Sequence, residues 1–192
     1  MSTGVCWQPE INDDDFYELC ALDSDLRFER TSRGEIRIHC FLDLDTAFRA
    51  GELTAELANW AKADRRGKAF GSTTAFILPT AAILSPIAGW LSNERLAPLS
   101  KEHLRKFPPV CPEFILEVIS PRDRPESMKE KMLEWLRGGI ELGWLIDGDA
   151  QTVYVYRAGQ AEAEKQTGIS NLAGEGPVAG FELDLTDIWA GL

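Results

Sequence analysis

The stretch from Pro112 to Ile146 limits the possible folds more than any other part of the chain. It opens with PEFILEVISP, a strand bounded by prolines, in which Phe114, Leu116 and Val118 face one way while Glu113, Ile115, Glu117 and Ile119 face the other. The loop RDRP follows, then a helix from Glu126 to Arg137 closed by Gly138-Gly139, then the apolar strand Ile140 to Ile146. A strand, a helix and a strand in direct succession imply a right-handed crossover between parallel neighbours. The expected fold is therefore α/β (α+β): a mixed central sheet flanked by helices.

The rest of the chain has to extend that unit. Asp13 to Leu22 reads as a short helix with Asn12 or Asp13 as its cap, followed by a hairpin of Leu26 to Thr31 and Glu35 to Cys40 that turns at Ser32-Arg33-Gly34. Leu53, Leu57, Trp60 and Ala61 recur at helical spacing within Asp45 to Arg65; Thr46 is the expected cap and Gly67 the C-terminal glycine. Two extended runs come next, Ala69 to Leu78 and Ile83 to Leu91, with a turn at Thr80-Ala81, and then a helical turn or two over Ser100 to Lys106. After the turn Asp147-Gly148-Asp149, the strand TVYVYR and a last strand near Phe181 to Leu185 end the chain. With 192 residues and neither internal repeat nor linker, one domain over 1–192 is expected.

Composition narrows the chemistry. Cys6, Cys20, Cys40 and Cys111 show no C-x-x-C spacing, and His39 and His103 are the only histidines, which argues against a Cys/His zinc site and a disulfide framework. The thiols read as isolated and buried, and His39 as a satisfied interior or edge residue. The opening MSTGVCWQPEINDDD has no basic start or apolar core of a leader, and no later run suits a membrane span, so a cytoplasmic location is expected. A net charge of -11 opposes broad attraction to nucleic acid, while leaving room for a nuclease whose carboxylates hold cations. The basic clusters Lys62, Arg65, Arg66, Lys68 and Arg122, Arg124 read as helix-end and surface charges.

A carboxylate in the middle of an apolar strand must be paired, hydrogen-bonded or bound to metal. Glu117 is that carboxylate, and the following helix carries Lys129 inside its buried stripe of Met128, Met132, Trp135 and Leu136, with Lys131 at the edge beside Trp135. Periodicity favours Lys129 as the partner of Glu117. Two readings stand side by side: Glu117 ligates a divalent cation while a lysine orients water or stabilises phosphate charge, or a buried Glu-Lys pair fixes strand against helix.

The segment CPEFILEVISPRDRPESMKEKMLEWLRGGIELGWLID resembles the signature of the Uma2 (DUF820) family, and the likeness extends from FYELCALDSDLRFERTSRGEIRI through GELTAELANWA and GSTTAFILPTAAILSP to GFELDLTDIW. The resemblance implies a PD-(D/E)XK nuclease-like fold and the activity of a Mg²⁺- or Mn²⁺-dependent DNA endonuclease. In such proteins an Asp after Pro and a Glu on the next strand hold the metal, and a Lys completes the site. The Glu matches Glu117. Ile119 replaces the usual Lys, and the alignment assigns that role to Lys131 rather than Lys129.

Ser85-Pro86-Ile87 departs from the family's S-P-D, and an alkyl side chain cannot coordinate Mg²⁺. Glu113, on the face of Glu117, is the candidate substitute, and Glu52 or Glu56 the candidate acid of the first long helix. CFLDLDTAFRAGEL also lacks the Gly-rich, Asn-bearing pattern of relatives. Two functions are consistent with this: an endonuclease acting on DNA with a rearranged metal site, or a catalytically inactive member serving as a nucleic-acid-binding, protein-binding or homo-oligomeric module.

Overall fold

The computed structural model describes residues 11–22, 26–39 and 41–192, so the readings placed on Cys6, Cys40 and residues 1–10 of the opening segment lie outside the described residues. The strands are β1 (Arg27–Arg30), β2 (Ile36–His39), β3 (Gly67–Gly71), β4 (Phe76–Ile77), β5 (Ile83–Leu84), β6 (Ala88–Ser92), β7 (Phe114–Val118), β8 (Leu142–Asp147), β9 (Thr152–Arg157), β10 (Glu164–Thr167), β11 (Asn171–Ala173) and β12 (Glu182–Asp184). The helices are α1 (Asp13–Leu22), α2 (Leu44–Asp64), α3 (Asn93–Leu96), α4 (Pro125–Gly138) and α5 (Thr186–Ala190).

Six strands form the central sheet in the order β10-β9-β8-β7-β6-β3, and β7 and β8 are its parallel pair, as the strand-helix-strand succession requires. A four-stranded sheet, β2-β1-β5-β4, carries the N-terminal hairpin, and β11-β12 form a ribbon. The alternation read in β7 separates two cores. Phe114, Leu116 and Val118 join Leu53 and Leu57 of α2, Trp144 of β8 and Phe181 on one face. On the other face, Ile115 and Ile119 join Met128, Met132 and Trp135 of α4. A smaller cluster of Phe16, Ile36, Ala75 and Ile83 lies under α1.

Local chemistry accounts for the boundaries. Asn12 caps α1 through the Asp15 N–H at 2.9 Å. The expected cap of α2 is corrected: Asp43 accepts from the Thr46 N–H at 3.0 Å, so the helix starts earlier. Gly67 is not its C-terminal glycine either, because Arg65 takes the left-handed conformation (φ 64°) and Gly67 opens β3. A side chain at 67 would collide with the Leu91 carbonyl and the Trp90 ring, so that glycine serves close strand packing. The two long extended runs each divide, into β3 and β4 and into β5 and β6, and this division builds the second sheet. Of the four cysteines, Cys111 is buried as expected, with its thiol pushed up to about 12 by burial, whereas Cys20 is only half-buried.

Candidate functional site

Glu117 is 2% exposed and points to the α4 side of the sheet. Its partner is Lys131, whose Nζ lies 2.8 Å from Glu117 Oε1. The periodicity-based preference for Lys129 is thereby corrected: Lys129 pairs with Glu126 at 2.7 Å, one turn away on its own helix, and its Nζ lies over the Tyr154 ring. Lys131 lies only at the edge of the apolar stripe, yet its ammonium has reason to turn inward, because a second carboxylate waits there.

That carboxylate is Glu29 of β1, which is fully buried and had given no sequence signal. Glu29 Oε1 lies 2.8 Å from Lys131 Nζ and accepts from the Ser85 N–H at 2.8 Å, while its Oε2 lies 2.8 Å from His39 Nε2. Lys131 also donates to the Ser85 carbonyl at 2.9 Å, and the Trp135 indole N–H donates to Glu117 Oε1 at 3.1 Å. Three oxygens thus surround one ammonium, supplying as many acceptors as it has donors. His39, with its side chain 26% exposed, is the satisfied edge residue expected, here with Glu29 as its partner.

Burial by itself drives Lys131 toward neutrality, and the charges of Glu117 and Glu29 more than offset it, so its pKa is raised. The two carboxylates diverge. Burial pushes Glu29 up, but Lys131 and then His39 overcome it and hold the carboxyl far below its ordinary value. In Glu117 burial prevails over Lys131, with the Glu29 charge adding to it, and the pKa rises. Lys131 and His39 together outweigh burial at Glu29, whereas Lys131 alone does not outweigh it at Glu117, which is left closer to holding a proton.

The other candidates do not converge here. Glu113 shares the face of Glu117 but stands just before β7 begins, about 13 Å back along the chain at ~3.3 Å per residue. There it pairs with Arg95 Nε at 3.1 Å and accepts from the Ser92 N–H, so its proposed substitution for the missing Asp is corrected. Ile87 packs in the α2-side core, on the opposite face from Glu117. Its N–H donates to Leu116 O, and Ala88 is the register partner of Leu116, so two residues oppose one as in a β-bulge. Glu52 and Glu56 belong to α2, which packs on that same opposite face, so neither approaches Glu117.

The donor set does not fit Mg²⁺ or Mn²⁺, which need several free oxygen ligands. The oxygens near Glu117 already face an ammonium, and among the described residues no three His, Cys, Asp or Glu side chains are grouped to hold a metal ion. A cavity of about 320 Å³ lies elsewhere, between Tyr17, Phe70, Phe76, Leu91 and Phe107, and none of the three ionic residues lines it.

The fold is a mixed α and β domain that holds one buried ionic cluster between its N-terminal hairpin, its central sheet and α4. The Uma2 family model, described as "Putative restriction endonuclease", matches residues 13–186. The chain belongs to the Uma2 family. A crystal structure described as a "putative nuclease belonging to DUF820", from Anabaena variabilis ATCC 29413, shares the fold with a TM-score of 0.76 at 22% identity, over 94% of this chain and 98% of that one. No curated protein matches the chain. Among the described residues no helix is long and apolar enough to cross a membrane.

Proposed function

We propose that this chain is a nuclease-like domain in which the Glu117–Lys131 pair acts as a structural bond, phosphodiester cleavage is lost or strongly impaired, and binding or assembly is the remaining role. One observation carries this reading: the Lys131 ammonium, 4% exposed, is fully occupied by Glu29, Glu117 and the Ser85 carbonyl. A lysine engaged in this way has no donor left for a phosphate or a water. Ile87 and the Arg95-bound Glu113 support it further, because neither brings a carboxylate to Glu117. The reading places the protein in the cytoplasm and, through the open edges β10 and β3 of its central sheet, in a homo-oligomer.

A second reading, a metal-dependent DNA endonuclease, is favoured by the meeting of Glu117 and Lys131 at 2.8 Å on the strand and helix that the family resemblance identifies. It requires β1 to withdraw Glu29 and free the lysine. Supercoiled plasmid incubated with Mg²⁺ or Mn²⁺ separates the two. Turnover no greater than in a metal-free control supports the first reading, and metal-dependent nicking that Glu117→Gln abolishes establishes the second.

A further inference from the structure

Helix α2 has two apolar faces, and the central sheet uses only one. Leu53, Leu57 and Ala61, with Thr46 and Arg49, point inward. At about 100° per residue, Leu44, Phe48, Gly51 and Ala55 fall on the opposite side. Leu44 is 78% exposed, Ala47, Gly51 and Ala55 are exposed, and Phe48 is half-buried but belongs to none of the three core clusters. The loop before the helix continues the strip with Phe41, 78% exposed, and Leu42.

Single exposed apolar residues are ordinary, but a stripe spaced i, i+4, i+7 and i+11 is the pattern of a helix face built to be covered. From Leu44 to Ala55 it runs about 17 Å, at ~1.5 Å per residue. Leu44 and Phe48 project as knobs. At Gly51 open space surrounds the position a Cβ would take, so Gly51 and Ala55 leave room for the knobs of another helix.

The flank of the stripe indicates the partner. Glu52 and Glu56 line one side of α2, four residues apart; Asp45, on the same side, is already paired with Arg49 at 3.0 Å, and Asp43 caps the start of the helix. A phosphate backbone or an anionic membrane would meet like charge here, and so would an antiparallel second copy, whose acidic flank would face this one. A chain of net charge -11 reinforces that repulsion. We propose that the outward face of α2, together with Phe41 and Leu42, docks a basic amphipathic helix of another protein, apolar residues on the stripe and cations along the Glu52–Glu56 flank. The proposal gives the binding role a surface and is independent of the chemistry at Glu117, since a plasmid result of either sign leaves it standing.

The test uses a fluorescein-labelled 18-residue helical peptide of leucine and lysine, with leucines on one face, titrated with the full chain at physiological salt and read by anisotropy. Binding should weaken about tenfold or more in Leu44→Ser/Phe48→Ser, and in Glu52→Lys/Glu56→Lys, with unchanged melting temperature. A scrambled peptide of the same composition that binds equally well overturns the proposal, as does affinity untouched by Leu44→Ser/Phe48→Ser. Sedimentation supplies the remaining arm: a dimer that Leu44→Ser/Phe48→Ser dissolves would show the face to be a contact between copies of this chain.

Discussion

The two faces of the central sheet follow opposite strategies. On the α2 side the cluster against the sheet is apolar, Trp144 stacking on Phe181 with centroids 5.7 Å apart and Phe114 meeting Trp144 edge-on at 4.9 Å, while the buried Arg49 of α2 pairs with the more exposed Asp45 and Asp149. On the α4 side an equally buried layer encloses Glu29, Glu117 and Lys131. The apolar face gains from area removed from water and tolerates small changes of shape. The ionic face depends on completeness, because each buried charge is costly unless every partner is present. The ionic cluster also does what an apolar contact would do less selectively: it joins the hairpin, the central sheet and α4 at one point. Ser32, in the hairpin turn, adds a second tie by donating its N–H to Glu134 of α4 at 3.1 Å.

Breaking the ionic face should have the largest effect. Lys131→Met leaves two buried carboxylates without their cation and should cost about 3–5 kcal/mol in urea unfolding. Glu29→Leu/Lys131→Met/Glu117→Leu removes all three charges and should be more stable than Lys131→Met alone. A triple variant less stable than the single one would show that the network contributes more than mutual neutralisation. Next comes a charge placed on the apolar face. Ile87→Asp should lose about 2–4 kcal/mol, because it puts a carboxylate among the apolar side chains of the α2-side core, and it should not create metal-dependent plasmid nicking. Nicking by this variant would show that residue 87 can reach Glu117 after all.

The faces should also differ in their response to pH. Lys131 has a raised folded pKa, so its contribution is fully present below the ordinary lysine value of about 10.4 and is lost as pH rises through the higher folded value. The wild type should therefore lose stability above about pH 10 more steeply than Lys131→Met, by up to about 1.4 kcal/mol per pH unit. The acid limb is less discriminating. Lowered Glu29 contributes stability that is lost as pH falls below the ordinary carboxylate range, whereas raised Glu117 acts in the opposite sense over its own titration. The smallest effect belongs to Lys129→Ala, which removes an exposed pair with Glu126 and should change stability by no more than about 0.5 kcal/mol. A larger loss would restore Lys129 as a member of the site.

Much of this was legible from local pattern. The alternation of β7 set which side chains face α2 and which face α4, and a carboxylate in the middle of that apolar strand marked Glu117. The helices α1, α2 and α4 followed from periodicity, and α1 and α4 from their caps as well, since those signals involve residues within a turn of each other; the caps of α2 are Asp43 and Arg65 rather than Thr46 and Gly67. Dissection of the runs around Pro79 and Pro86 was less accessible, because β4 and β5 are two-residue strands that pair with each other and join a sheet only where Ile83 meets the distant Arg30 of β1.

The sequence alone determined that a strand with an internal glutamate is followed by a helix bearing two lysines and then by a parallel strand. Tertiary structure decided which lysine is buried, because that choice depends on Glu29, distant in the chain and brought in by the hairpin. It also decided that Ile87 faces away from Glu117, since a bulge shifts a side chain across the sheet without leaving a trace in residue periodicity. Periodicity reports which way one element faces. The free energy of a buried charge depends on every element that supplies it a partner, and those meet only in the folded chain.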